Sequence, residues 1–110
     1  MIKKLSYLFY KIMFYIDKTF YFLTNKSILV WIKDFIQIDS YKSLKILNID
    51  VKFFVPNQLT NWRVDTFFSK EPETLEWIDN FNNLEELIFW DIGSNIGLYS
   101  IYNSFKNPNS

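Results

Sequence analysis

Apolar residues recur through residues 2–23 with the period of an α-helix. Placing one residue every ~100° brings Leu5, Phe9, Ile12, Ile16, Phe20 and Leu23 onto one face. Lys4, Lys11 and Lys18 line the opposite face, with Tyr7, Tyr10 and Tyr21 near the boundary. A basic amphipathic helix with an aromatic flank suits a membrane interface. An apolar stripe more often packs on another part of the same protein, and that alternative stands beside the first. Lys11 and Asp17-Lys18 interrupt the apolar stretch well short of the ~20 apolar residues a span requires. No small-residue cleavage site follows, so neither a spanning helix nor a signal peptide is expected.

The pattern then changes twice. Ser27 is placed to cap a second helix over residues 28–38, and Asp39, Ser40, Lys42 and Ser43 read as a loop. From residue 44 to 55 the period falls to two. Ile49, Val51, Phe53 and Val55 alternate with Asn48, Asp50 and Lys52, as in a half-buried strand or hairpin that Pro56-Asn57 ends. Residues 60–82 are expected to be helical in two pieces. Pro72 suits a first helical turn, with Glu71, Glu73 and Glu76 near the positive N-terminus. Leu75, Ile78 and Phe81 form the stripe expected to be buried, and Asn80, Asn82 and Asn83 are expected to close that helix. The chain shows no internal repeat and no linker rich in Gly, Pro or Ser. These patterns divide it into a basic helical region, residues 1–43, and a second domain that starts at residue 44 and runs to 110.

Charge reinforces that division. The formal net charge is zero, yet residues 1–33 hold six lysines against one acid, and residues 34–110 hold six bases against eleven acids. A hydrophobic content of 49% with 21% aromatics excludes a disordered tail, and 110 residues allow one modest core. There is no cysteine and no histidine, which excludes disulfides, zinc–thiolate sites and thiol nucleophiles. No metal site is expected, and any acid–base chemistry falls to Asp, Glu, Lys or Tyr.

The segment best suited to chemistry is residues 87–102. Leu87-Ile88-Phe89-Trp90 predicts a strand buried on both faces of a parallel sheet. After a turn, Leu98, Ile101, Tyr102 and Phe105 take helical spacing. Average usage of ~7% would place about eight glycines in such a chain. There are two, Gly93 and Gly97, and both lie in this turn. A backbone without Cβ there would let a ligand approach and the helix pack on the strand. The helix N-terminus that follows favours an anionic group, such as a carboxylate. The turn meets neither the dinucleotide fingerprint nor the P-loop pattern, and Asp91, Ser94 and Asn95 break any transmembrane reading of its glycine spacing. An ordinary tight turn without a ligand is the plain alternative.

Asp91-Ile92-Gly93-Ser94-Asn95-Ile96-Gly97-Leu98-Tyr99-Ser100 resembles the first motif of FkbM-type methyltransferases, D-[IV]-G-A-N-[IV]-G-x-Y-S, with Ser94 in place of alanine. Val55-Pro56-Asn57, Trp62-Arg63-Val64-Asp65-Thr66 and Lys70-Glu71-Pro72-Glu73-Thr74-Leu75-Glu76-Trp77-Ile78-Asp79 also look like that family. The resemblance runs over residues 53–102 and leaves residues 1–50 without a counterpart. It implies an α/β, Rossmann-like class I methyltransferase fold, a seven-stranded sheet flanked by helices. It also implies methyl transfer from S-adenosyl-L-methionine to a hydroxyl oxygen of a saccharide or other small-molecule acceptor. Gly93, Asn95 and Gly97 would line the methionine end of the cofactor, and Asp91 would fix the loop or meet the cofactor's amino group.

The same resemblance places the ribose-binding acid, the acceptor pocket and any catalytic base beyond Ser110. The chain is therefore expected to be an incomplete and inactive N-terminal fragment whose catalytic residues cannot be named. It is expected to be cytoplasmic, with no nucleic-acid partner, and peripheral membrane contact through residues 2–23 stands as the alternative to packing of that helix within the protein. The alternative function is a small membrane-surface or interaction protein built on the basic helix, which would have no use for Gly93 and Gly97.

Overall fold

A computed structural model describes residues 1–81 and 87–110. The elements run α1 (Ile2–Thr24), α2 (Ile28–Ile38), β1 (Tyr41–Ile46), β2 (Ile49–Phe54), α3 (Gln58–Asp65), α4 (Phe67–Lys70), α5 (Pro72–Asp79) and α6 (Leu98–Lys106). They fall into two compact units, Met1–Asp39 and Ser40–Ser110.

The first unit is a helical hairpin. Asn25 takes the left-handed conformation at the end of α1 (φ 58°) and returns its N–H to the Tyr21 carbonyl at 2.8 Å. Asparagine tolerates this conformation better than most residues. Ser27 caps α2 as expected, its hydroxyl accepting from the Val30 N–H at 3.4 Å. The hairpin is fastened by Asp17, midway along α1. Its carboxylate accepts from the Ile28 N–H at 2.6 Å, the Leu29 N–H at 3.0 Å and the Ser27 hydroxyl at 2.9 Å. A carboxylate facing the first amides of a helix satisfies donors that no intrahelical carbonyl can reach. Neither helix contains a buried residue.

The second unit opens with an antiparallel hairpin whose register runs from Tyr41↔Phe54 to Ile46↔Ile49. Lys42 and Ser43 belong to β1, not to a loop. Polar composition suggested the loop, but pairing with Lys52 and Phe53, together with the Tyr41–Phe54 ring contact at 5.3 Å, extends the strand. Asn48 in turn is not a strand residue: with Leu47 it makes a two-residue turn at positive φ, 47° and 69°. Three short helices replace the two pieces expected. Asn57 caps α3 by accepting from the Thr60 N–H at 3.0 Å, and Pro72 occupies the first turn of α5 as expected. Asn80 follows the last residue of α5, while Asn82 and Asn83, expected to help close it, lie outside the described residues.

Ile46, Phe53, Val64, Phe67, Leu75, Ile78, Leu98 and Tyr102 form the core. The stripes expected on α5 and α6 supply four of them, and Phe81, Ile101 and Phe105 pack against it. Tyr102 donates to Asp79 at 2.9 Å and Asn107 to the Ile78 carbonyl at 3.4 Å, which ties α6 to α5.

Residues 87–91 depart from expectation. No strand forms there, because no other strand lies beside them among the described residues. The period of a strand is nevertheless present. Leu87, Phe89 and Asp91 are half-buried, while Ile88, Trp90 and Ile92 are largely exposed. Phe89 rests against the rings of Trp77 and Phe81 at 6.4 and 6.2 Å. The described residues are mixed α/β with one antiparallel strand pair; they form no Rossmann-like parallel sheet.

Candidate functional site

The turn between residue 91 and α6 alternates in handedness. Gly93 (φ 79°), Asn95 (φ 55°) and Gly97 (φ 74°) are left-handed, separated by Ser94 and Ile96. Gly97 is the N-cap of α6, donating to the Ser94 carbonyl at 2.9 Å and accepting from the Ile101 N–H at 2.9 Å. No side chain caps this helix and its first turn contains no acid, so the cap position is chemically open to an anionic ligand group. A Cβ built on Gly93 or Gly97 meets no atom within 4 Å. Close helix–strand packing is therefore not what selects glycine here, contrary to expectation. The left-handed backbone selects it, and the space beside it lies open.

Ser100, in the first turn of α6, donates its hydroxyl to the Asp91 carboxylate at 2.7 Å. That bond links the residue before the turn to the first turn of α6. Asp91, Gly93 and Asn95 come together along one cleft of about 240 Å³; Gly97, the N-cap of α6, does not line it. Arg63 from α3, Thr66, Lys70 and Glu71 from around α4, and Tyr99 from α6 supply further polar wall, beside the apolar side chains of Phe67, Ile92, Ile96 and Leu98.

These wall residues were missed as site residues, although Arg63, Lys70 and Glu71 lie inside the segments that carry the resemblance. Their roles depend on α3 and α4 folding back toward the turn, a contact that sequence spacing does not encode. Arg63 is the most informative. Its Nε is buried without a protein hydrogen-bond partner, a state that usually costs free energy unless a ligand or a water completes it. Glu71 accepts from the Tyr99 hydroxyl at 2.9 Å and pairs with Lys70 at 2.7 Å. The Lys70 ammonium, then the Tyr99 hydroxyl, hold the Glu71 carboxyl below its usual value. Burial and the bond to Glu71 push the Tyr99 phenol up to about 12. Tyr99 is therefore protonated near neutrality.

The cleft carries both signs of charge, Arg63 and Lys70 against Glu71 and Asp91. That combination suits a zwitterion better than a simple anion. Its volume lies below the ~300–1,000 Å³ of sites that enclose a whole small molecule, so it accommodates one end of a larger ligand. Among the described residues no cluster of Asp and Glu could hold a metal ion, and no helix is long and apolar enough to cross a membrane. No family model, curated protein or solved structure matches this chain.

Proposed function

We propose that Ser40–Ser110 carries the methionine-end half of an S-adenosylmethionine site, within a methyltransferase of Rossmann-like class I fold. The observation that carries this reading is the left-handed turn at Gly93, Asn95 and Gly97, which opens onto an uncapped helix N-terminus beside the unpartnered Nε of Arg63. The amides of α6 and the Arg63 side chain would hold the carboxylate of the methionine moiety. Asp91 and Glu71 would face its ammonium, with Asp91 kept in place by Ser100. The bound cofactor supplies an electrophilic methyl group. The residues described here bind and orient its amino-acid end. Transfer to the hydroxyl of a saccharide or other small-molecule acceptor rests on the motif resemblance alone. In such a fold residues 87–91 form a sheet strand, which accounts for their period-two exposure without a pairing partner.

A site that holds one end of the ligand should bind weakly, with Kd on the order of 1 mM, or about −4 kcal/mol. Amide shifts of the isotope-labelled chain during titration with S-adenosylhomocysteine test this. Shifts confined to Arg63 and residues 91–100, and lost in Gly93→Val and Arg63→Gln, are expected. Shifts that are absent, or that persist unchanged in both variants, would overturn the reading.

A further inference from the structure

We propose that the α1–α2 hairpin is a docking surface for an anionic lipid bilayer, seated in the headgroup region with neither helix crossing. The proposal does not depend on the cofactor reading, since its residues all belong to Met1–Asp39.

The first observation is burial. On α1 the stripe of Leu5, Phe9, Ile12, Ile16 and Leu23 is 48–73% exposed although α2 is already packed on the helix. On α2, Trp31, Phe35 and Ile38 stand at i, i+4 and i+7 and are 62–70% exposed. Exposed apolar stripes of this extent on both helices mark an interaction surface. Tyr15, Ile16, Thr19, Phe20 and Leu23 also line a shallow apolar depression of the kind an acyl chain fills.

Charge identifies the occupant. The unit holds six lysines and three acids, Asp17, Asp34 and Asp39. Asp17 is engaged by the amides and hydroxyl at the start of α2, so the side chains of the unit sum to three positive charges with one of the acids held at the helix junction. Lys4, Lys11 and Lys18 form a row on the face of α1 away from the apolar stripe, one every two turns, from which their long side chains can reach around to lipid phosphates while the stripe enters the acyl boundary. Tyr7, Tyr10 and Tyr21, with Trp31, carry an apolar ring and a polar edge, which suits headgroup depth. An apolar groove on a protein would cover the stripe but would leave the lysine row without a counterpart. With Lys11, Asp17 and Lys18 inside it, α1 is not apolar enough to span. Because Asp17 locks the helices together, α1 and α2 engage the surface as one piece.

The test is partition of the full chain onto phosphatidylglycerol–phosphatidylcholine vesicles and onto pure phosphatidylcholine vesicles, by co-sedimentation. Binding to the anionic vesicles, weakened by salt, is expected. Each lysine near such a surface contributes about fivefold in affinity, so the combined Lys4→Gln, Lys11→Gln, Lys18→Gln variant should lose about a hundredfold. These lysines carry no core contact, so the variant should keep its helix content, checked by circular dichroism. Independently, tryptophan emission should shift to the blue on binding, and Trp31→Phe should remove most of that shift. Equal partition onto both vesicle types would overturn the proposal. So would no partition, or a shift undiminished in Trp31→Phe, which would move the contact away from the hairpin.

Discussion

The two units handle their apolar residues in opposite ways. Met1–Asp39 carries a long run of Leu, Ile, Phe and Tyr and buries none of them, so polar contacts fix its geometry: the Asp17 carboxylate on the start of α2 and the Asn25 turn. Ser40–Ser110 is more acidic and its pattern more broken, yet Ile46 and Ile78 are fully buried and Val64 nearly so. Helical periodicity alone therefore does not distinguish a core-facing stripe from one that waits for a partner. Truncation tests that difference most strongly. Ile78→Ala should destabilise the second unit by about 2–5 kcal/mol in urea denaturation, through lost burial and a residual cavity. Ile12→Ala on the exposed face of α1 should stay within about ±0.5 kcal/mol. A comparable loss at both positions would mean that the hairpin has a core of its own.

Titration separates the units most clearly at high pH, since both hold a lowered carboxyl, Asp17 and Glu71, and the second unit holds two raised phenols. Hydrogen bonds from the Leu29 amide, and then from Ser27 and Ile28, hold the Asp17 carboxyl below its usual 3.8. A carboxyl lowered in the folded state stabilises above its unfolded value and loses that contribution as pH falls through the folded one. The helical signal of the hairpin should thus drop in acid, below about pH 4, and Asp17→Asn should remove that step from a circular-dichroism titration. In the second unit, Tyr99 and Tyr102 are pushed from 10.0 up to about 12, first by burial and then by their bonds to Glu71 and Asp79. Groups raised in the folded state contribute fully below their unfolded value, so this stability persists to pH 10 and is lost between 10 and about 12. Near-UV circular dichroism should report that loss.

Much of the fold was legible because it depends on local chemistry. Ser27 and Pro72 mark helix starts through the backbone donors they satisfy or lack, and the stripes of α5 and α6 follow from period alone. What was illegible depends on contacts distant in sequence. Asp17 reads as a polar interruption of α1 until α2 folds back and offers its amides 11 and 12 residues on. Lys42 reads as loop until it pairs in register with Phe53 and reaches Asn61 and Asp65 on α3. In the candidate site, Gly93 and Gly97 stood out through their rarity, and Asp91 and Asn95 through the motif. Arg63 and Tyr99 also lie in segments that carry the resemblance, but nothing local gave their roles, since a buried guanidinium Nε and a phenol on a carboxylate exist only once α3 and α6 meet the turn.

Left-handed backbone gives the smallest and most selective comparison. The hairpin unit uses Asn25 at its left-handed position, a residue whose side chain lowers the cost. The second unit places Leu47 at φ 47°, where a branched side chain costs on the order of 1 kcal/mol or more. That strain persists because Ile46 and Phe53 anchor the strands in the core and over-determine the turn between them. Leu47 itself is 41% exposed, so replacing it gives up only part of a side chain's burial. Leu47→Asn completes an Asn-Asn pair suited to a two-residue hairpin turn. It should raise stability by about 0.5 kcal/mol, read as a shift of the urea midpoint at constant slope. Leu47→Gly should gain less, because glycine also frees the unfolded chain. If Leu47→Asn instead lowered the midpoint, Leu47 would be contributing to packing more than its exposure indicates, and the core would extend into the turn.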